Sequence, residues 1–221
     1  MRGRLFVWAL ALGFMSVPAP LQAQTPDAVF QHPLSAAALP RFHEVCGVLS
    51  SHPLIKGSFT QRKTIKRLDR SLDSSGNFII DSRRGMVWET LKPYPSTMAV
   101  GRDYLVQSSP GRPKTTLSAA GNEVFLRLAS VISAVFSGNA QLLLDNFGDF
   151  FVDSGGGWTL GLIPSENAVR SFAERIILEG DTVIRRITLF EQNGDTIRYE
   201  LSGHVFPEAL SPDEAAFFSP D

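Results

Sequence analysis

Cysteine is almost absent from this sequence of 221 residues, in which Cys46 is the only one. A lone thiol excludes an internal disulfide, so the fold must be held together by the packing of its side chains. Cys46 falls on the apolar stripe of a predicted helix, where a free cysteine is usually a small buried hydrophobe. We therefore expect Cys46 to pack in the core and not to act as a nucleophile.

The sequence motifs of metalloproteins and common enzymes are also missing. No Gly-x-Ser-x-Gly elbow offers a serine nucleophile, and the glycines at 155–157 match neither a dinucleotide fingerprint nor a P-loop. The histidines have no zinc-ligand spacing; they are His32, His43, His52 and His204. The sequence therefore predicts no metal, no cofactor and no catalytic residue. A formal net charge of −1 gives no general attraction to nucleic acid.

Long apolar runs are confined to the N-terminus. Two arginines precede an apolar stretch from Leu5 to Val17, two prolines then break any helix, and Ala23 is a small residue at a cleavage position. This is the pattern of a secretory signal peptide over residues 1–23, and the stretch is too short to span a bilayer. An uncleaved membrane anchor is the less favoured alternative. We expect residues 24–221 to form one exported domain that works outside the cytoplasm.

Beyond a leader at 24–38 that looks loose, the chain alternates between helical and strand periodicity. Leu39, Phe42, Cys46 and Leu49 recur on one face of a helix that ends before Pro53. The pattern then changes to period two and predicts these strands: 55–66, 75–81, 86–91, 97–100, 104–108, 150–153, 158–163, 174–179, 182–191 and 196–203. Further helices are predicted at 122–136 and 140–145.

The alternation in these strands requires one covered face and one solvated face. The sequence therefore predicts the α+β class, with a large, curved antiparallel sheet whose concave side is covered by helices. A strongly curved sheet must fill its concavity with side chains, with helices or with a ligand. The sequence contains 16 phenylalanines and three tryptophans, and for any one of them a place in the core is the favoured interpretation. Taken together, they are also compatible with a hydrophobic cavity beneath the helices.

A cluster of positive charge follows the first predicted strand. Arg62, Lys63, Lys66, Arg67 and Arg70 lie over this strand and its turn, with Arg83 and Arg84 in the next turn. Most such runs are solvated faces that keep an exposed strand from aggregating, which is the favoured interpretation. The alternative is a docking patch for an acidic partner or for anionic lipid headgroups, formed by Arg62, Lys66, Arg67 and Arg70.

Five short segments together carry a family resemblance: Phe59-Thr60-Gln61, Ser75-Gly76-Asn77-Phe78, Gly85-Met86-Val87-Trp88-Glu89, Lys92-Pro93-Tyr94-Pro95-Ser96 and Leu210-Ser211-Pro212-Asp213-Glu214. With these segments the chain resembles a divergent branch of the outer-membrane lipoprotein carrier family (LolA-like). The resemblance implies an incomplete, strongly curved antiparallel β-barrel with a helical lid, whose apolar cavity shields acyl chains across the periplasm. It also implies an arginine that holds the lid, for which Arg83 or Arg84 is the nearest candidate.

What the resemblance implies about function is a monomeric periplasmic carrier and not an enzyme. It would take a lipoprotein or related amphiphile from an inner-membrane donor complex and shuttle it to an outer-membrane acceptor. The expected lining is apolar and comes from the lid, the sheet and the second helix: Leu39, Phe42 and Leu49; Phe59, Phe78, Met86 and Trp88; Phe125, Leu128 and Ile132. A lipid-binding sensor of the same fold that delivers nothing is the first alternative, and an enzyme with an unrecognised site is the second.

Overall fold

The computed structural model describes residues 26–101, 104–118, 138–170 and 173–219. The predicted signal peptide lies outside the described residues, as does the predicted helix at 122–136 with Phe125, Leu128 and Ile132. Among the helices that are described, none combines the length and the hydrophobicity needed to cross a membrane.

One antiparallel sheet contains the eleven strands found in the described residues. The strands are β1 (Leu54–Ile65), β2 (Arg70–Asp81), β3 (Gly85–Lys92), β4 (Ser96–Val100), β5 (Tyr104–Ser108), β6 (Thr115–Ser118), β7 (Phe147–Asp153), β8 (Trp158–Pro164), β9 (Arg175–Gly180), β10 (Ile184–Phe190) and β11 (Thr196–Val205). Their order is β6-β5-β4-β3-β2-β1-β11-β10-β9-β8-β7, so pairing of β1 with β11 joins the two halves. Because β6 and β7 remain unpaired with each other, the barrel is incomplete. The predicted α+β class and antiparallel architecture are confirmed.

Four α-helices are described, together with two 3₁₀ helices: α1 (Leu39–Ser50), α2 (Ala140–Asn146), α3 (Asn167–Arg170) and α4 (Pro212–Ala216), with 3₁₀ turns at Pro26–Gln31 and Lys66–Leu68. A proline in the first turn begins α1, where a missing N–H costs nothing. The Asn139 side chain caps α2 by accepting a hydrogen bond from the Leu142 N–H. The helices predicted from Leu39 and over 140–145 are both confirmed.

Contacts between distant strands show which face is concave. The ring centroids of Trp88 on β3 and Tyr199 on β11 are 5.1 Å apart, although two strands lie between them. In a flat sheet these strands would be separated by roughly 14 Å. The face that carries both rings therefore curls inward. The main hydrophobic core lies on this face, where α1 and α2 cover it.

The opposite, convex face is also covered, which the sequence analysis did not predict. Leu54, Ile79 and Val87 belong to a second buried cluster that includes Phe218 of the C-terminal segment. An ion pair of 2.6 Å between Lys56 and Glu214 fixes α4 on this face. The sequence signal for this coverage was the presence of adjacent apolar residues in the strands, such as Ile79 and Ile80. Successive residues of a strand point to opposite faces, so two adjacent apolar residues indicate that both faces are covered.

The expectation of a loose leader over residues 24–38 is wrong for the part that is described, residues 26–38. The Pro26–Gln31 turn packs on the sheet with Val29 buried, and the Phe30 ring meets Phe150 edge-on at 5.4 Å. Gly161 of β8 makes the close approach possible, since a Cβ there would come within 2.9 Å of both Val29 and Phe30. The Arg175 guanidinium lies 5.2 Å from the centre of the Phe30 ring and covers it.

Candidate functional site

Four aromatic side chains meet on the concave face and form what we call the aromatic cluster: Phe59, Phe78, Trp88 and Tyr199. The Trp88 indole stacks on Phe59 at 4.2 Å and lies nearly parallel to Phe78 at 6.0 Å. Phe59 and Phe78 are fully buried, whereas Trp88 and Tyr199 are half-buried. The cluster therefore presents two aromatic rings that are partly open on an otherwise sealed apolar floor.

A glycine in the strand between them lets these rings come together. Gly76 of β2 is paired with Phe59 of β1. Because Gly76 has no side chain, nothing at this position separates the Phe59 ring from the Trp88 ring. A Cβ at Gly76 would collide with the carbonyl oxygen of Glu89 on β3. The structure thus explains the glycine of the Ser-Gly-Asn-Phe segment, because only glycine fits at this register position.

The helix α1 covers one end of the aromatic cluster. Phe42 and Leu49 are buried beneath it, Leu39 is half-buried, and the Phe42 ring contacts Phe151 of β7 at 6.0 Å. Met86 is buried in the same core. The structure thus brings together the seven predicted lining residues that it describes: Leu39, Phe42, Leu49, Phe59, Phe78, Met86 and Trp88. Their contact with a ligand stays a prediction.

Among the described residues, the side chains that line the crevice at the end of α1 leave little empty space between them. A crevice of about 20 Å³ separates the C-terminal end of α1 from the sheet. Its walls are almost entirely apolar: Leu49, His52, Ile55, Phe78, Ile80, Thr182, Val183, Ile184, Leu201 and His204. This volume is enough for about one water molecule and too small for an acyl chain. An acyl chain therefore enters this crevice only if α1 or the side chains beneath it move aside.

The attachment of α1 favours such a movement. The Arg41 guanidinium donates a hydrogen bond of 3.2 Å to Asp153 of β7, and each of the two side chains is 38% exposed. Within the described part of the chain, no other side-chain hydrogen bond or ion pair ties α1 to the sheet. The remaining attachment is apolar packing, which is non-directional and does not need a fixed register.

Two titratable groups, Asp149 of β7 and Cys46 of α1, interact across the interface between this helix and the sheet. Burial raises the pKa of Asp149 to about 6, and its Oδ1 atom is buried without a hydrogen-bond partner. Burial, reinforced by the negative charge of Asp149, raises the pKa of the Cys46 thiol to about 12. Since the reactive form of cysteine is the thiolate, the Cys46 thiol is a poor nucleophile at neutral pH. Cys46 is buried, as predicted.

Sequence reasoning missed Tyr199, whose strand was recognised but whose role was not. Burial raises the pKa of Tyr199 to about 12, and the nearby carboxylate of Glu191 acts in the same direction. Glu191 also accepts a hydrogen bond of 2.8 Å from Lys63, which faces the concave side. The available signal was the alternation of apolar residues at 197, 199 and 201. Alternation identifies the buried face but not the partners across the sheet.

The basic residues divide into three groups in the structure. Arg62 is engaged by Asp73 through two hydrogen bonds of 2.8 and 3.1 Å. Arg83 and Arg84 face the buried carboxylate of Asp81 at 3.7 and 3.8 Å, in the turn between β2 and β3. Within the described residues, neither of them forms an ion pair with α1. Lys66, Arg67 and Arg70 are exposed around the turn between β1 and β2.

Larger cavities lie elsewhere, and none holds a metal-binding arrangement. A cavity of about 290 Å³ adjoins α4 beside Lys56 and Glu214, and a groove of about 620 Å³ runs along β1, β2 and β11 next to Pro93. Three or more His, Cys, Asp or Glu side chains do not converge anywhere in the described ranges. The groove has charges of both signs, which include Arg62 paired with Asp73.

No protein-family model and no curated protein matches this sequence. The fold is similar to that of a LolA superfamily protein from Nitrosomonas europaea, with a TM-score of 0.47 and 8% identity over 81% of this chain and 96% of that one. It is also similar to a structure described as an outer membrane lipoprotein-sorting protein domain, from Vibrio parahaemolyticus, with a TM-score of 0.43 and 9% identity over 81% and 97% of the two chains. A third similar structure is the MucA/MucB complex of Pseudomonas aeruginosa, with a TM-score of 0.36 and 12% identity over 80% of this chain and 60% of that one.

Proposed function

We propose that this protein is a periplasmic carrier that binds the acyl chains of a lipoprotein or related amphiphile on its concave face and shuttles it towards the outer membrane. The observation that carries the proposal is the aromatic cluster, a partly open apolar floor beneath a helix that is attached mainly by apolar packing. The signal-peptide pattern of residues 1–23 and the resemblance of the sequence motifs to lipoprotein carriers support the same assignment.

The physical requirement for such a carrier is a replacement for the membrane interior. An acyl chain that leaves a bilayer loses about 0.8 kcal/mol for each methylene exposed to water. The carrier must therefore cover most of the chain with apolar surface. The rings of Trp88 and Tyr199 offer such surface at once, and displacement of α1 would expose Phe42, Leu49 and the wall of the small crevice.

Closed packing under α1 has a consequence for affinity. Ligand entry must replace the contacts between α1 and the sheet, and this cost lowers the net affinity. A carrier benefits from this, because a cargo that is held too tightly cannot be released to an acceptor. We propose an inner-membrane donor and an outer-membrane acceptor as partners, and a monomer as the working form.

A lipid-binding sensor of the same fold is the second candidate. The observation that favours it is the small crevice of about 20 Å³, because ligand entry then forces α1 to move. A forced movement is what a sensor needs in order to signal to a partner protein. The two candidates differ only in what happens to the ligand after binding.

Native mass spectrometry combined with a transfer assay tests the proposal. The carrier hypothesis predicts a lipid bound at a 1:1 ratio after gentle purification, and its movement to acceptor vesicles faster than its spontaneous desorption. A bound lipid that stays with the protein would favour the sensor. Absence of any bound lipid, with no binding of added acylated peptide, would refute both. Chemical turnover of the bound lipid would instead favour an enzyme.

A further inference from the structure

The hairpin of β1 and β2 extends beyond the neighbouring strand β3. Pairing between β2 and β3 begins at Ser75, opposite Lys92, so the preceding residues Arg70–Ser74 pair with β1 alone. Five residues of extended strand correspond to roughly 17 Å. On the other side, β11 accompanies β1 as far as Thr64. The hairpin thus extends past β3 on one side, whereas β11 flanks it on the other side almost to its tip.

The turn itself is held in a defined shape. The backbone N–H of Lys66 donates a hydrogen bond of 3.0 Å to Asp195 in the turn before β11. Asp69 adopts a left-handed conformation with φ of 47° and closes the 3₁₀ turn Lys66–Leu68. The side chains of the tip are therefore presented from an ordered backbone.

The tip combines exposed apolar and exposed basic side chains, and we define it as Lys66–Leu72. Leu68 and Leu72 are 53% and 57% exposed. Lys66, Arg67 and Arg70 are exposed too, and no ion pair engages them in the described structure. A single exposed leucine is ordinary, but the seven residues of this tip combine two exposed leucines with three cations and one carboxylate, Asp69, which leaves a net positive charge.

We propose that this tip docks on the surface of a bilayer that contains anionic lipids. Cations near such a surface are attracted to the headgroup phosphates, while leucine side chains bury themselves at the boundary with the acyl chains. Charge complementarity favours a bilayer over an apolar protein groove, because a groove would leave the three cations without partners. Arg62 is excluded from the docking surface, since Asp73 already engages it.

The docking tip and the aromatic cluster share one face of the sheet. Leu72 is paired with Lys63 of β1, which points to the same side as Phe59 four residues earlier. Docking would therefore bring this end of the concave face towards the membrane. In this respect the inference rests on the proposed carrier function, because this is the end at which an acyl chain would be exchanged.

The test measures co-sedimentation of the full exported chain with vesicles, in the absence of any acyl probe. Vesicles of phosphatidylcholine alone are compared with vesicles that contain about one third phosphatidylglycerol. We expect binding only to the anionic vesicles. The double change Arg67→Gln with Arg70→Gln should weaken binding about 25-fold, at about fivefold for each cation. Leu68→Ser with Leu72→Ser should weaken it about tenfold.

A matched control removes two cations from the other end of the sheet. Arg84 and Arg185 are exposed, lie in or next to the turns before β3 and β10, and each faces a carboxylate. The change Arg84→Gln with Arg185→Gln should leave vesicle binding unchanged. The proposal is overturned if the parent ignores anionic vesicles, if either tip variant binds like the parent, or if the control loses as much affinity as Arg67→Gln with Arg70→Gln. Because no cargo is present, failure here leaves the carrier function to be judged by its own transfer assay.

Discussion

Replacement of Trp88 by alanine separates the ligand-binding role of the aromatic cluster from its structural role. The indole has three aromatic neighbours, at 4.2, 5.1 and 6.0 Å. Truncation of a buried Trp or Phe to alanine costs about 3–5 kcal/mol of stability. Since Trp88 is only half-buried, we expect Trp88→Ala to cost ~2–3 kcal/mol, with a substantial part from the lost ring contacts. The fold should survive this loss.

The effect on ligand binding should be larger than this loss of stability explains. If an acyl chain lies on the open side of the indole, its removal exposes about two methylenes and costs ~1.5 kcal/mol, or roughly tenfold in affinity. Urea unfolding followed by circular dichroism gives the stability. Displacement of a fluorescent fatty-acyl probe gives the affinity, under conditions in which each variant is fully folded.

Two control variants complete the experiment. Tyr94, on the turn after β3, is 83% exposed, so Tyr94→Ala should change neither quantity. Trp158 is buried and donates a hydrogen bond of 2.6 Å to the Asp181 carbonyl oxygen, so Trp158→Phe should lower stability without lowering affinity. A folded Trp88→Ala protein that binds the probe as tightly as the parent would refute the assignment of the ligand to the aromatic cluster.

The remaining predictions concern buried groups and the C-terminal helix. The buried, protonated thiol of Cys46 should react with maleimide at pH 7.5 only as fast as α1 opens, and alanine substitutions in α1 should accelerate the labelling. The pKa of Asp149 is raised from 3.8 to about 6, so the folded state binds the proton more tightly and stability falls as pH rises from 4 to 6. Asp149→Asn should remove this dependence in denaturation curves and stabilise the protein at pH 7.5 by on the order of 1 kcal/mol, because partial exposure screens the effect. Glu214→Gln should weaken both the contact with Lys56 and the capping box of α4, lower stability by about 1 kcal/mol and speed proteolysis of the C-terminal segment.

The sheet was predictable from sequence because apolar and polar residues alternate along its strands. The segments that cover its two faces were not predictable in this way. Periodicity located β1 and β11 and identified Phe59 as an inward residue. The loose-leader prediction failed at Val29 and Phe30, because burial of this turn depends on a gap at Gly161, more than a hundred residues later. The coverage of the convex face by Phe218 also depends on a contact that is distant in sequence.

The candidate site was predictable in composition but not in geometry. Period two was sufficient to place Phe78, Met86 and Trp88 on the concave face, whereas their contact with a ligand stays a prediction. The stacking of Trp88 on Phe59 depends on sheet curvature and on Gly76, and neither can be read from alternation. The charge cluster was similarly incomplete, because a run of basic residues does not reveal that Asp73 engages Arg62 while the tip residues remain exposed.

Photo-crosslinking of an acyl chain to the intact protein tests the central claim most directly. A fatty-acyl probe with a diazirine near the end of its chain is bound, irradiated and located by peptide mass spectrometry. We predict labels on β3 around Trp88, on β11 around Tyr199 and on the buried face of α1, with competition by unlabelled acylated peptide. Labels confined to the convex face around Phe217, or the absence of any competed label, would contradict the assignment of the concave face as the lipid-binding site.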